Sequence, residues 1–227
     1  MKLSKETIEV LKNYGNINQG MYFRTGKTLR TVNSHKNILT SAEISEEFPT
    51  NFGVYDINNF LGVISADESP EFEFSNAEVK IKCKGGRSTI RYGFCDADVI
   101  VVAPEKDIVM PSEDIKFNLS KEDLQWVLQV GRLLSSTHIV VESDGTEVNL
   151  STTDLQMNNT ANTNKLKVGD GNGTKYNMIF RSEFIEKLMT GNYTVTISAK
   201  GIAHFQNNDR KIQYWITTET GSKFEAA

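Results

Sequence analysis

Ser4-Lys5-Glu6-Thr7-Ile8-Glu9-Val10-Leu11-Lys12-Asn13-Tyr14-Gly15 returns in plan 116 residues later as Ser120-Lys121-Glu122-Asp123-Leu124-Gln125-Trp126-Val127-Leu128-Gln129-Val130-Gly131. Ser, Lys, Glu, an aliphatic residue and a closing Gly recur at one offset, close to half of the 227-residue chain. That pattern reads as two structurally equivalent domains in tandem. In each copy a serine hydroxyl precedes an acid in the first turn. The hydroxyl suits the free backbone N–H groups of a helix start, and the acid suits the positive end of its dipole.

Composition narrows the class. With 38% apolar and 24% charged residues the chain reads as an ordinary globular protein. No apolar run approaches the roughly 18 residues of a membrane span. Met1-Lys2-Leu3-Ser4 leads straight into a polar helix pattern, so the expectation is a protein that is not secreted. Cys83 and Cys95, the only cysteines, are expected as unpaired thiols in a reducing compartment. A formal charge of −4 argues against holding nucleic acid by bulk attraction. Any nucleic-acid role must then rest on local charge or on topology.

After the first helix, residues 20–25 and 28–32 read as a hairpin around Gly26-Lys27, and 137–143 and 146–150 as a hairpin around Asp144-Gly145. Short second helices are expected at 55–62 and 182–189, where apolar residues recur at helical spacing. Strands are expected at 72–74, 79–84, 89–94 and 99–102 in the first half, and at 193–198, 202–206 and 212–217 in the second. The class is α+β with mostly antiparallel, hairpin-joined strands. Residues 103–114 carry two of the four prolines and no periodicity, as a domain connector would. Residues 158–175, rich in Asn, Thr and Gly, read as polar hairpin loops.

No catalytic constellation emerges. His35, His138 and His204 are scattered without metal-ligand spacing. Gly26-Lys27-Thr28 ends like a phosphate-binding loop, but Met21 stands where the first Gly is required. Gly169-Asp170-Gly171-Asn172-Gly173 opens like a calcium loop, then continues with Thr174 and Lys175 where a ligand and a Gly belong. Lys84-Gly85-Gly86-Arg87-Ser88-Thr89 has two readings, a phosphate nest or a two-glycine hairpin turn. No cofactor or metal is expected.

The repeated helices carry more. At 100° per residue Ile8, Val10, Leu11 and Tyr14 share one side of the first, opposite Lys5, Glu9, Lys12, Asn13 and Asn16. In its repeat the expectation puts Trp126, Val127, Val130, Leu133 and Leu134 on a wide apolar side and Lys121, Gln125, Gln129 and Arg132 on a narrow polar face. A solvated helix face explains either stripe alone. Two equivalent helices with cationic stripes, without base-stacking aromatics, fit loose contact with phosphates that reads no sequence.

In these segments, and in Tyr55-Asp56-Ile57-Asn58-Asn59-Phe60-Leu61-Gly62-Val63, Arg87-Ser88-Thr89-Ile90, Gly191-Asn192-Tyr193 and Ala199-Lys200-Gly201, the chain resembles the DNA polymerase sliding clamps of T-even-type bacteriophages. The resemblance implies a DNA-clamp fold of two similar domains, 1–108 and 109–227, each an antiparallel sheet with paired helices. It further implies a head-to-tail homotrimeric ring with helices lining the hole. Such a ring is loaded onto duplex DNA by an ATP-driven clamp loader and tethers the replicative DNA polymerase. It also serves late transcription factors and RNA polymerase, in the host-cell cytoplasm.

A ring holds DNA by enclosure, which suits an acidic protein with a modestly basic lining. Lys5, Lys12, Lys121 and Arg132 are the expected DNA-facing residues, with Arg87 and then Arg91 behind them. Val102, Ile108, Val109 and Met110, beside the connector, are the expected apolar contributors to a partner-peptide groove. The C-terminal residues 221–227 depart from the family pattern. Two other roles stay open at this point: a clamp-like scaffold for transcription or repair proteins, and a monomeric β-rich virion interaction protein.

Overall fold

The computed structural model describes residues 1–160 and 162–225, with the side chains of 158–160 outside that description. Two compact units divide the chain, Met1–Asp107 and Ile108–Ala227. Every strand pairing described within either unit is antiparallel.

The first unit opens with helix α1 (Lys5–Gly15), capped by Ser4, whose Oγ accepts the Thr7 N–H at 3.2 Å. Strands β1 (Met21–Phe23), β2 (Gly26–Val32), β3 (Ile38–Phe48) and β4 (Phe52–Val54) follow, then helix α2 (Ile57–Ile64), capped by Asp56. Strands β5 (Glu71–Phe74), β6 (Glu78–Cys83) and β7 (Ser88–Gly93) form a three-stranded sheet in that order. In β6 the alternation Glu78-Val79-Lys80-Ile81-Lys82-Cys83 buries Val79, Ile81 and Cys83 on one face, as a half-solvated antiparallel strand requires.

The hairpin expected around Gly26-Lys27 is a correction. β1 pairs with β4, and β2 pairs with β3. Gly26, at φ 110°, opens β2 opposite Phe48 of β3 rather than closing a turn onto β1. The chain turns instead at Asn33, whose Oδ1 accepts the N–H groups of Asn37 (2.8 Å) and Ile38 (3.3 Å), with Lys36 at φ 59°. Residues 99–102 are likewise not a strand. A 3₁₀ turn spans Ala97–Val99, and the Asn18 side-chain amide holds the Val101 carbonyl at 3.2 Å. At Lys84–Gly86 the two-glycine turn is what forms, joining Cys83 to Ser88, and the Asp67 carboxylate accepts the Lys84 N–H at 2.6 Å. A carboxylate there opposes an anion.

The second unit runs β8 (Ile115–Leu119), α3 (Lys121–Leu133), β9 (His138–Asp144), β10 (Glu147–Thr153), β11 (Asn164–Asp170), β12 (Lys175–Arg181), α4 (Ser182–Ile185), β13 (Tyr193–Ser198), β14 (Ile202–Asn207), β15 (Ile212–Thr217) and β16 (Lys223–Glu225). One sheet has the order β11-β10-β9-β12-β16, and β8, β13, β14 and β15 pair successively in the other. Ser120 caps α3 as Ser4 caps α1: its Oγ accepts the Asp123 N–H at 3.0 Å, with nearly the same backbone angles. The expected helix at 182–189 is a single turn, α4. The polar stretch 158–175 contains a strand, β11, paired with β10 across a register shift. Ala161 within that stretch, and Ala226 and Ala227 of the divergent C-terminus, lie outside the described residues.

The second expected hairpin forms, with its tip one residue later than read: β9 runs to Asp144, Ser143 pairs with Val148, and Gly145-Thr146 make the turn. Gly145 has φ 100°, and a Cβ there would meet the Gly173 carbonyl oxygen at 3.1 Å. The Asp144 carboxylate accepts from the Thr146 hydroxyl (2.6 Å) and the Thr146 N–H (2.9 Å), bonds that lower its pKa to about 2. A carboxyl depressed in the folded state supports the structure above its ordinary pKa of 3.8 and loses that support as pH falls through about 2. Amide hydrogen exchange at Thr146, measured against its neighbours, is expected to accelerate selectively across that window. Asp144→Asn should abolish the pH dependence.

Candidate nucleic-acid interface

In α1, Thr7, Val10, Leu11 and Tyr14 are buried, leaving Lys5, Glu9, Lys12 and Asn16 on the exposed face. Spacing of seven residues puts Lys5 and Lys12 about 10.5 Å apart along the axis. The helix is fixed underneath. Glu46 of β3 accepts the Ser4 N–H and, at 2.5 Å, the Thr7 hydroxyl. Burial pushes the Glu46 pKa up, but these bonds outweigh it and the net shift is downward. The buried Tyr14 hydroxyl donates to the Leu29 carbonyl at 3.3 Å, and desolvation raises its pKa.

In α3 the start is anchored by Asn192, whose Oδ1 accepts the Lys121 N–H at 3.0 Å and whose own N–H is held by Asp209 at 2.8 Å. These Asn192 bonds lower the Asp209 pKa, and the nearby Lys121 ammonium adds to the shift. Buried on this helix are Leu124, Val127 and Gly131. Trp126 and Leu133, expected on the apolar side, are 51% and 76% exposed. This corrects the sequence reading of the wheel. Residues 124, 127 and 131 centre the buried arc, and Gly131 marks it because a Cβ there would touch the Thr152 methyl at 3.5 Å. That glycine was the available signal.

The cations differ in what holds them. Among the described residues, the side-chain ion pairs leave out Lys5, Lys12 and Lys121. Arg132 is tied to Glu186, Nε to Oε1 at 2.9 Å. Arg91 is gripped by both oxygens of Glu78, at 2.8 and 3.1 Å, and Arg87 is exposed with its Nε on the Lys84 carbonyl at 3.4 Å. Both arginines belong to β7 or its preceding turn. Near the connector, Val109 is 89% exposed, while Val102, Ile108 and Met110 are half-buried.

Among the described residues no His, Cys, Asp and Glu grouping is arranged to hold a metal ion, and no helix is long and apolar enough to cross a membrane. Cys83 is buried and Cys95 half-buried, and neither is paired.

Residues 4–102 match the family described as DNA polymerase processivity factor, and residues 116–220 the family described as gp45 sliding clamp, C terminal. The sliding clamp of Vibrio phage KVP40 is 33% identical over 225 residues, 96% of this chain and 99% of that protein. The chain belongs to the sliding-clamp family. The sliding clamp of Enterobacteria phage T4 is 32% identical, with 88% of this chain and 89% of that protein covered. Among solved structures, the proliferating cellular nuclear antigen of Entamoeba histolytica superposes with a TM-score of 0.68 at 13% identity, covering 96% of this chain and 97% of that one. That likeness establishes the clamp fold alone. As a sliding clamp the chain is a DNA polymerase processivity factor rather than an enzyme, and DNA and a DNA polymerase are its partners.

Proposed function

We propose that three copies of this chain close head to tail into a ring around duplex DNA, opened and reclosed by an ATP-driven clamp loader and tethering the replicative polymerase. One observation carries this reading: among the described residues each unit ends a sheet in a strand of matching length with a ladder partner on one side only, β7 with six residues and β11 with seven, with side chains exposed or half-buried throughout. Long exposed edges are a liability unless something pairs with them. Two different edges on one chain make a heterologous contact, which closes into a ring when its rotation allows.

In that ring Lys5, Lys12 and Lys121 face the phosphates, since their ammonium groups are not committed to carboxylates. Arg132 contributes less, and Arg87 stands at the edge strand rather than in the hole. Val102, Ile108, Val109 and Met110 offer apolar contacts to a partner peptide, with Val109 the most accessible. The same surface serves late transcription factors and RNA polymerase, and the ring works in the host-cell cytoplasm. Light scattering over a dilution series tests the assembly. A species of three times the chain mass is expected, and a persistent monomer at high concentration removes topological tethering. The loading step is tested separately by loader-dependent extension of product length with the cognate polymerase.

A further inference from the structure

The exposed apolar side chains of α3 are not scattered. α3 packs on β10 and β11, whereas α4 packs on β9 and β12, so the two helices lie side by side on one sheet face with α3 towards the β11 edge. The Arg132–Glu186 pair, reaching to the residue that follows α4, fixes which flank of α3 faces its neighbour. With Leu124, Val127 and Gly131 pointing down, helical periodicity puts Trp126, Val130 and Leu133 on the opposite flank, towards the β11 edge, where the ladder ends among the described residues. Beneath them, Leu166 of β11 pairs with the buried Leu150, and it is left half-exposed where the sheet ends. A tryptophan carries about 150–250 Å² of surface to bury, and three apolar side chains on one flank are more than the isolated exposed residue of an ordinary surface.

We infer that Trp126, with Val130 and Leu133, is the apolar seam that seats a second copy of this chain over the β11 edge. The inference rests on the ring reading and deepens it. β7 carries the matching surface. On β7, Ile90 and Tyr92 pair with the buried Ile81 and Val79, so they lie on the core face of their sheet, and both are half-exposed. Tyr92 meets Phe60 of α2 edge-on at 4.9 Å, which places this face on the helix side. Antiparallel joining of β7 to β11 then continues one apolar layer from Leu166 to Ile90 and Tyr92, with Trp126 and Leu133 as its cover. Phosphates are the weaker occupant. An aliphatic Leu133 gains nothing from a polyanion, and the cations Lys121 and Arg132 sit on the other side of the exposed arc.

The chain has two tryptophans, and Trp215 is 3% exposed, so a charged quencher such as iodide reaches Trp126 alone within one subunit. Without DNA, quenching is expected to be weak where light scattering reports the trimer and to rise on dilution into monomer. Trp126→Lys, in a helix that accepts Lys, is expected to raise the trimer dissociation constant about 30-fold or more with an unchanged circular-dichroism spectrum. Trp126→Phe should retain most of the assembly. A stable trimer in which iodide still reaches Trp126 overturns the seam and leaves the ring standing. Shielding that appears only after loading onto DNA overturns it in favour of a DNA contact. A monomer at every concentration removes the ring itself.

Discussion

Lys5→Glu combined with Lys121→Glu is expected to leave the native mass and thermal stability nearly unchanged while lowering loader-dependent residence on DNA by at least about tenfold at low salt. Both side chains stand on the exposed faces of α1 and α3 and take part in no ion pair among the described residues, so reversal breaks no bond inside a subunit and removes only the attraction of Lys121 for the exposed Asp209 carboxylate. The lesion is long-range repulsion of phosphate. Screening shortens its reach to about 10 Å at 0.1 M salt, so the deficit should shrink as salt is added. Arg132→Gln is the informative contrast. Its guanidinium already faces Glu186 at 2.9 Å on the surface, a pair worth about 0–1 kcal/mol, and it gives up that partner before it reaches DNA. Its effect on residence should be well below that of the double reversal. Equal residence of the double variant and the wild type across a salt series would remove both lysines from the DNA face.

The architecture was legible where chemistry is local. Two serine caps, two acidic first turns and the fixed offset announce α1 and α3, and both caps form with nearly the same geometry. The turn after Asp144 is similarly self-sufficient, because the Asp144 side chain supplies its hydrogen bonds, although the tip falls at Gly145-Thr146 rather than at Asp144-Gly145. Pairing between distant segments was not legible. β1 finds β4 some 30 residues on, and nothing in Met21-Tyr22-Phe23 names Phe52-Gly53-Val54 as its partner. β11 looks like a loop because Asn164, Lys165, Lys167 and Gly169 are poor strand formers, and its ladder to β10 overrides propensity. On the site, the wheel gave Lys5 and Lys12 correctly as exposed. It missed Trp126 and Leu133 because hydrophobic character alone assigns a tryptophan to a core. Only the position of α3 above a sheet edge explains how an apolar flank stays outside.

Phe23→Ala is expected to cost about 3–5 kcal/mol, enough to lower the melting temperature of the first unit by about 15 °C or more. Phe23 is fully buried and its ring stacks on Phe52 at 4.4 Å, meets Phe48 at 4.9 Å and approaches Phe60 at 6.4 Å. β1 and β4 are three residues each, so their ladder is held less by backbone bonds than by this aromatic cluster, in which Phe23 and Phe52 also sit opposite each other in register. Phe23→Leu keeps the apolar volume roughly filled and loses chiefly the ring geometry, for about 1–2 kcal/mol. Calorimetry should therefore show the alanine variant's first unit melting ahead of the second; a single unshifted transition would mean that the cluster does not govern this unit. The cluster also reaches the proposed ring contact. Phe60 is the ring against which Tyr92 of β7 rests, so loosening the packing under α2 unsettles the edge strand offered to the next copy. Assembly should fall with unit stability in the order wild type, Phe23→Leu, Phe23→Ala. Trp126→Lys should instead weaken assembly without moving either melting transition of the isolated subunit, which separates damage to the edge from damage to the seam.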